Sequence, residues 1–278
     1  MRNLLCLFLV VMLFPACEKQ GNGDITFGAP GKTYGIVVEG GINTFYKIQY
    51  IRLSEPSFSA DGTVVPAVGA RVTVTDGGAN VVFRETATPG VYSGTIQNNT
   101  NYNKAYKLNI TYKDKSYTAT DTLRQVVNII DDFLPLGCIK QANGTIKLTI
   151  PKHTFGFLNS CKWLISYPEI PAWNPARFEN AGYFNYTHIQ GSPNSVYPLI
   201  NQLRIVELQP NDFVSIYKFS MSDAYSQYLY TVFQETDWKG LFSGVPAEVK
   251  GNLSAGALGF FYVTDVDIRR YRASELAN

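Results

Sequence analysis

Residues 69–85 read GARVTVTDGGANVVFRE and decide the fold class of this chain. Apolar and polar side chains alternate over residues 70–75, an Asp-Gly-Gly turn follows at residues 76–78, and a second run returns over residues 81–85. Alternation with a period of two places one face of a strand in a core and the other face in water. The stretch therefore predicts a β-hairpin with one buried face.

The same pattern extends on the C-terminal side of this hairpin. A Pro-Gly turn at residues 89–90 precedes an apolar run, and residues 106–112 alternate before a Lys-Asp-Lys turn and a partner strand that ends near Thr120. Short strands about ten residues apart, joined by tight turns, are typical of a β-sandwich. We predict a transthyretin- or immunoglobulin-like sandwich over residues 33–126.

The second half of the chain predicts a β-rich domain over residues 127–278. Apolar runs indicate strands at residues 146–150, 162–167, 203–208, 213–219 and 258–263. One helix is predicted at about residues 222–238, where Ser222 or Asp223 serves as the N-cap. Its apolar positions have helical spacing and predict a face packed on a sheet: Tyr225, Tyr228, Leu229, Val232 and Phe233.

Composition restricts the function classes. The 24 basic and 22 acidic residues give a net charge of +2, which excludes the strongly basic surface of a nucleic-acid-binding protein. Aromatic residues make up 14% of the chain, with 18 tyrosines and 17 phenylalanines, which agrees with a mostly β protein.

The N-terminus has the organisation of a lipoprotein signal. Arg2 precedes an apolar run at residues 4–14 that is far shorter than the roughly 20 residues of a membrane-spanning helix. Ala16 and Cys17 follow, so we predict a signal peptide over residues 1–16 and lipid attachment at Cys17. The alternative is an ordinary secretory signal with a chance cysteine. Residues 17–32 contain four glycines without apolar periodicity and predict a flexible tether.

Two cysteines remain after the signal and the lipidated residue. Cys138 and Cys161 would lie in an oxidising compartment, where a disulfide between them would stabilise the fold by about 3 kcal/mol. The alternative of two buried thiols stays open at this point.

Catalytic and metal-binding patterns are not found in the sequence. His153 and His188 lack a second ligand at zinc-site spacing, and no serine lies in a Gly-x-Ser-x-Gly setting. Turn capping explains the Asp131–Asp132 and Asp265/Asp267 pairs better than glycoside cleavage does. We therefore predict a protein that is not an enzyme, with no metal and no cofactor.

A long stretch over residues 167–198 mixes aromatic side chains with prolines, amides and an arginine. Ordered loops of this length are uncommon unless they have a function. We predict a ligand or partner surface, and the alternative is a small core beneath a long loop. The candidate residues of this surface are Trp163, Tyr167, Trp173, Phe178, Tyr183 and Tyr186.

Five motifs in a fixed order carry a family resemblance. They are GIVVEGGI at residues 35–42, GARVTVTDGG at 69–78, PGVYSG at 89–94, YKLNITYKDKSYTA at 106–119 and LFSGVPAEVKGNLSAGALGFF at 241–261. Together they resemble the Bacteroidota outer-membrane lipoproteins of domain-of-unknown-function family 4249 (DUF4249). The resemblance implies an exported lipoprotein, often encoded beside a TonB-dependent outer-membrane transporter, and it supplies no catalytic residues.

Two further features of the sequence have an interpretation. Asp121-Thr122-Leu123 fits the pattern used for O-glycosylation of exported Bacteroidota proteins, so Thr122 is a candidate glycosylation site. Arg269, Arg270 and Arg272 form a basic cluster near the C-terminus. We interpret this cluster as a solvated tail, with lipid or partner contact as the alternative.

The sequence leads to one expected function and two alternatives. The expectation is a lipid-anchored protein of the outer membrane, facing the cell exterior, that acts as a non-enzymatic accessory subunit of a TonB-dependent β-barrel in substrate capture or gating. One alternative is a structural subunit of an outer-membrane assembly or adhesion complex. The other is a hydrolase whose site is assembled from distant residues.

Overall fold

A computed structural model describes the protein over residues 33–277. Its gaps are residues 58–62, 77, 98, 132–133, 135, 157–158, 179–182, 184–185, 191–202 and 237–248. The predicted signal peptide, Cys17 and the tether of residues 17–32 lie outside the described residues.

The described chain is mostly β. Its strands in chain order are β1 (Ile36–Asn43), β2 (Ile48–Ser54), β3 (Arg71–Thr75), β4 (Asn80–Glu85), β5 (Val91–Thr95), β6 (Ala105–Tyr112), β7 (Lys115–Thr122), β8 (Gly137–Lys140), β9 (Ile146–Pro151), β10 (His153–Gly156), β11 (Cys161–Ser166), β12 (Tyr186–Gln190), β13 (Leu203–Leu208), β14 (Phe213–Ser220), β15 (Ala257–Thr264) and β16 (Val266–Arg272). Two helices are α1 (Asp223–Thr236) and α2 (Ala273–Leu276). No helix among the described residues has the length and apolarity to cross a membrane.

Eight strands form the first sheet in the order β15-β1-β2-β5-β4-β3-β6-β7. The sheet folds back on itself, because buried side chains from both of its halves form one apolar core, including Ile36, Leu53, Val72 and Leu108. The hairpin predicted from residues 69–85 is β3 and β4, with Val72 opposite Phe83. This sandwich-like arrangement confirms the predicted fold class for the N-terminal half.

Strand β15 joins the first sheet from the far end of the chain. It pairs in parallel with β1, from Ile36 opposite Ala257 to Asn43 opposite Thr264. On its other side, the Asn252 side chain bonds both the Phe261 backbone and the Thr120 carbonyl, so it bridges β15 to β7. The division of the chain at residues 126 and 127 stays a prediction, but β15, which we had placed in the C-terminal domain, lies in the N-terminal sheet.

The rest of the chain forms two smaller sheets that share a core. A five-stranded sheet has the order β10-β12-β11-β14-β16, and a three-stranded sheet has the order β13-β9-β8. Their facing side chains, among them Leu148, Trp163, Ile165 and Ile216, belong to one buried cluster. This second sandwich leaves the opposite face of the five-stranded sheet to contact other parts of the chain.

Helix α1 covers part of that opposite face. The Ser222 hydroxyl accepts a hydrogen bond from the Tyr225 backbone N–H at 3.1 Å and so caps the helix as predicted. The ring of Tyr225 stacks on Phe260 and Tyr262 of β15 at centroid distances of 4.9 and 5.1 Å. The helix therefore packs against both sandwiches.

Candidate functional site

Three of the six candidate surface residues lie in the core instead. Trp163, Tyr167 and Tyr186 are 2%, 4% and 7% exposed and pack between the two smaller sheets. Trp163 and Tyr186 lie opposite each other on the inward face of β11 and β12. This corrects the prediction for these three, because period-two alternation points them inward and the alternative of a core beneath the loop applies to them.

The other three lie at or near the junction of the two sandwiches. Trp173 and Phe178 are half-buried there, and Tyr183 is half-buried against the second core. The chain leaves β11 through a tight turn, since Tyr167 and Ile170 bond each other's backbone. This turn sends residues 171–178, which we call the aromatic segment, across the outer face of the five-stranded sheet.

Trp173 lies at the centre of an aromatic cluster drawn from both sandwiches. Its ring packs edge-on against Phe219 at 4.8 Å and lies 5.3 Å from the ring of Tyr46. Phe45 and Tyr217 lie 6.3 Å away. The Tyr46 hydroxyl also donates to the Trp173 carbonyl at 3.2 Å. The turn between β1 and β2 and the aromatic segment therefore hold each other in place.

Buried amides fix the turn that presents Tyr46. The Gln49 side chain accepts hydrogen bonds from the backbone N–H and the side-chain amide of Asn43, and it donates to the Asn43 carbonyl at 3.0 Å. Gln49 and Asn99 both donate to the Tyr46 carbonyl. Buried, fully bonded amides of this kind restrict a loop to one conformation. Tyr46 is thus held rigidly, although 36% of its surface is exposed.

An open cavity of about 650 Å³ lies between this turn and the aromatic segment. One wall comes from the start of β2 and the other from the aromatic segment. The lining residues are Tyr46, Lys47, Ile48, Tyr50, Pro171, Ala172, Trp173, Asn174, Pro175 and Arg177. The volume lies within the range of small-molecule sites, and the lining mixes apolar surfaces with a few polar groups as such sites do. We call this the seam cavity.

The charged groups of the seam cavity are cationic. Of the lining residues that the structure describes, Lys47 and Arg177 carry positive charge and none carries negative charge. Both side chains are exposed. The lining therefore combines two exposed positive charges with aromatic surfaces.

Phe178 anchors the end of the aromatic segment on the first sandwich. The Arg52 guanidinium lies 5.1 Å above the Phe178 ring and forms a 2.6 Å ion pair with Glu39. The ring also approaches Gly40 of β1, where a Cβ atom would lie 3.1 Å from Phe178 and 2.7 Å from the Tyr50 carbonyl oxygen. The lack of a side chain at position 40 therefore leaves the space that the Phe178 ring occupies at the end of the aromatic segment.

Gly40→Val is therefore expected to detach the aromatic segment. Gly40 has a φ of +112°, so a side chain adds backbone strain of about 1–3 kcal/mol to the contact with Phe178. Trypsin cleavage after Arg177 should become several-fold faster. Gly137→Val is the matched control, because a Cβ there meets Thr149 at an ordinary 3.6 Å. Equal cleavage rates in both variants would contradict this role for Gly40.

The Asp265/Asp267 pair fastens the chain that connects the sandwiches. Asp265 accepts hydrogen bonds from the Thr44 hydroxyl at 2.5 Å and from the Val126 N–H at 2.9 Å. Asp267 accepts from the Ile129 N–H at 2.8 Å. These carboxylates bind backbone groups of the connecting segment, which is a structural use.

The histidines lie on neighbouring strands of the second sandwich. His188 bonds the Thr154 hydroxyl at 2.8 Å, and the His153 ring lies tilted against Phe233 of α1 at a centroid distance of 4.2 Å. Within the described parts of the chain, no group of three or more His, Cys, Asp or Glu residues is placed to hold a metal ion.

Cys138 and Cys161 are not joined by a disulfide. Cys138 lies on β8 of the three-stranded sheet, whereas Cys161 lies on β11 of the five-stranded sheet. Burial raises the pKa of the Cys138 thiol. The structure therefore agrees with the alternative stated from the sequence, in which Cys138 and Cys161 are two thiols rather than a disulfide.

The candidate glycosylation site lies at the end of a paired strand. Thr122 is half-buried opposite Ala105, and its neighbours in the motif, Asp121 and Leu123, are buried. Asp121 accepts a hydrogen bond from the Val263 N–H at 2.8 Å, and burial raises the pKa of its carboxyl group to about 6. Two of the three motif side chains are thus covered in the folded protein.

The basic cluster forms part of β16, which corrects its interpretation as a tail. Arg269, Arg270 and Arg272 pair with β14, and the Arg270 guanidinium lies 4.0 Å above the Phe213 ring.

A lysine lies beneath α1 on the outer face of β11. The Lys162 ammonium group donates to the Tyr225 hydroxyl at 2.8 Å and lies 5.2 Å from the centroid of the Tyr262 ring. Burial lowers the pKa of this amine to about 7. Lys162 therefore belongs to the packing between the sandwiches and the helix.

Lys162 should make stability depend on pH. Above pH 7, the unfolded chain holds a proton on Lys162 that the folded chain has released, so the free energy of unfolding should rise with pH. Between about pH 7 and pH 9, Lys162 should raise the free energy of unfolding by about 2 kcal/mol, and we expect Lys162→Met to abolish this contribution. Urea unfolding measures it, with the exposed Lys140→Met as control. An unchanged slope in Lys162→Met would contradict the assignment.

Sequence reasoning missed the half of the site that comes from the first sandwich. Strand β2, which contributes to this half, was not predicted. The lining residues from the first sandwich lie more than 100 positions before the aromatic segment and are Tyr46, Lys47, Ile48 and Tyr50. One local signal was present, because Phe45-Tyr46 places two adjacent aromatic side chains in a turn.

The fold and the site define a class of mostly β proteins in which two sandwich-like units enclose an open cavity at their junction. The model of the family described as "Domain of unknown function (DUF4249)" matches residues 25–146. This match supports the family resemblance that the sequence motifs carry, over the part of the chain that includes the first eight strands.

Two further comparisons give little beyond this family match. Among solved structures, the FN1–FN3 domains of chicken CNTN1 match with 12% identity and a TM-score of 0.22. The match covers 69% of this chain and 64% of that chain, so this protein spans less than two thirds of the length of the solved chain. No curated protein matches this sequence.

Proposed function

We propose that this protein is a lipid-anchored, non-enzymatic accessory subunit of a TonB-dependent outer-membrane β-barrel and that it captures a substrate in the seam cavity. The observation that carries this proposal is the cavity itself. It is open to solvent, and two rigid walls from different sandwiches form it.

The lining has the composition of a ligand-binding site. Aromatic rings and prolines supply apolar contact area, while Lys47, Asn174 and Arg177 supply polar contacts. Small-molecule sites combine these two kinds of group. The buried amides around Tyr46 prepare the site before the ligand arrives, which reduces the entropy lost on binding.

Support for the anchor and the partner comes from the sequence. The apolar run before Cys17 indicates export and lipid attachment, and at least two acyl chains would retain the protein at a membrane. The family resemblance supports the partner, because it implies lipoproteins that are often encoded beside TonB-dependent transporters. We propose that the protein faces the cell exterior, where a captured substrate can reach the barrel.

A second candidate is a structural subunit of an outer-membrane assembly or adhesion complex. It is favoured by apolar side chains on the outer face of the three-stranded sheet, where Ile139, Leu203 and Ile205 are 60%, 50% and 57% exposed. Exposed apolar groups that lie near one another on a sheet are typical of protein contacts. In this case the sheet face, and not the seam cavity, would carry the function.

The test is a pull-down of the tagged native protein in gentle detergent, followed by mass spectrometry of the bound proteins. The control is Cys17→Ala, which removes the lipid attachment site. Recovery of a stoichiometric TonB-dependent barrel with the native protein, and its depletion in the control, supports the proposal. Recovery of the protein alone, or with assembly or adhesion components, contradicts it.

A further inference from the structure

We infer that the ligand of the seam cavity is an acidic oligosaccharide, one whose sugar rings carry carboxylate groups. This inference rests on the proposed capture function and specifies its substrate class. Three properties of the cavity lead to it: the sign of its charge, the shape of its apolar surfaces, and the state of the backbone in its walls.

The positive charge of the cavity favours an anionic ligand. Among the described lining residues, Lys47 and Arg177 contribute two positive charges and none carries a carboxylate. Neither cation has an ion pair with an acidic side chain of the described chain. Two exposed cations at one cavity attract an anionic ligand and favour it over a neutral one.

The apolar surfaces of the cavity suit sugar rings. Trp173, Tyr46 and Tyr50 line the same cavity, with Ile48 and Pro171 between them. The electron-rich faces of aromatic rings attract the C–H groups that cover one side of a pyranose. Asn174 adds an amide that can exchange hydrogen bonds with hydroxyl groups. Because the cavity is open, a chain of several sugars can extend beyond it.

The backbone of the cavity wall argues against an extended peptide. Strand β2 lies between β1 and β5; of its residues that line the cavity, Tyr50 pairs with both neighbours and Ile48 pairs with β5. A peptide that binds as an added strand needs an unpaired edge. This wall therefore recognises the ligand mainly through side chains, which is how sugars with their hydroxyl and carboxylate groups are held.

The test is calorimetric titration of the full mature protein with three probes of similar length: oligogalacturonate, malto-oligosaccharide and oligoglutamate. We expect oligogalacturonate to bind at least tenfold more tightly than either of the others, and its affinity to fall as salt is added. Each of Lys47→Gln and Arg177→Gln should weaken that binding roughly tenfold. Lys140→Gln, which removes an exposed charge on β8, should leave it unchanged. Trp173→Ala should weaken the binding of both saccharides.

Three results would overturn the inference. The first is equal affinity for oligogalacturonate and malto-oligosaccharide, and the second is equal binding by the Lys47→Gln and Lys140→Gln variants. The third is preferential binding of oligoglutamate, which would make the ligand an acidic peptide. None of these results affects the proposed accessory role, which depends on recovery of the barrel in the pull-down.

Discussion

Replacing Gly259 with valine is expected to lower the free energy of unfolding by about 3 kcal/mol or more. Gly259 has a φ of +98°, and a Cβ atom there would lie 2.0 Å from the Val38 carbonyl oxygen. That distance is impossible for a carbon atom, so β15 would have to move away from β1. The loss should be large because β15 closes the first sandwich and also carries Phe260 and Tyr262, which support α1.

Urea unfolding of Gly259→Val measures this effect, and Gly137→Val serves as the control. Position 137 is also a strand glycine, but a Cβ there meets nothing closer than 3.6 Å. A Gly259→Val protein as stable as the control would show that β15 does not pair with β1 as described. A variant that fails to fold while the control folds agrees with the expectation, and Gly259→Ala then gives a measurable intermediate.

Asp265→Ala is expected to cost about 2–4 kcal/mol, the second largest effect. Asp265 is 6% exposed, and its carboxylate accepts hydrogen bonds from Thr44 and from the Val126 backbone. Removing it leaves these part-buried donors without their acceptor. Thr44 begins the turn that carries Tyr46, so the seam cavity should also loosen.

The matched control for this variant is Asp212→Ala. Asp212 accepts a hydrogen bond from the Gln209 N–H at 2.8 Å in an exposed turn, where water can replace the lost carboxylate. Urea unfolding should show a loss of about 1 kcal/mol or less for the control. Equal losses in the two variants would contradict the role of Asp265 as a fastener between the sandwiches.

Local patterns were sufficient for much of the fold. The hairpin of β3 and β4 and the hairpin of β6 and β7 were predicted because alternation and turn residues lie within a few positions of each other. The same holds for α1, whose apolar spacing and Ser222 cap are local signals. The pairing of β15 with β1 was not predicted, because it joins residues more than 200 positions apart. Neither segment contains a local sequence signal that identifies its partner.

Whether the candidate surface residues are buried or lie at the junction could be predicted only in part, for the same reason. An aromatic and proline-rich stretch indicated a binding surface, and Trp173 and Phe178 do lie at the junction of the sandwiches. The sequence could not separate them from Trp163 and Tyr186, since burial depends on which strand faces which sheet. The opposite wall with Tyr46 was missed because only tertiary contact brings it to Trp173.

Substrate capture requires that the seam cavity stay open in the native complex so that it can take a ligand. The measurement that tests it most directly is maleimide labelling of Ile48→Cys, in intact membranes and in the purified protein. Ile48 lines the cavity and is 48% exposed, so a thiol there should react readily. Mass spectrometry of the labelled peptide separates this position from Cys138.

We expect Ile48→Cys to be labelled at the same rate in membranes as in the purified protein, and more slowly in both when oligogalacturonate is added. Labelling of Ile205→Cys shows whether the outer face of the three-stranded sheet is covered by a neighbouring protein. If labelling at position 48 is lost in membranes but not in the purified protein, a protein neighbour covers the cavity. That result would contradict substrate capture and favour a structural subunit.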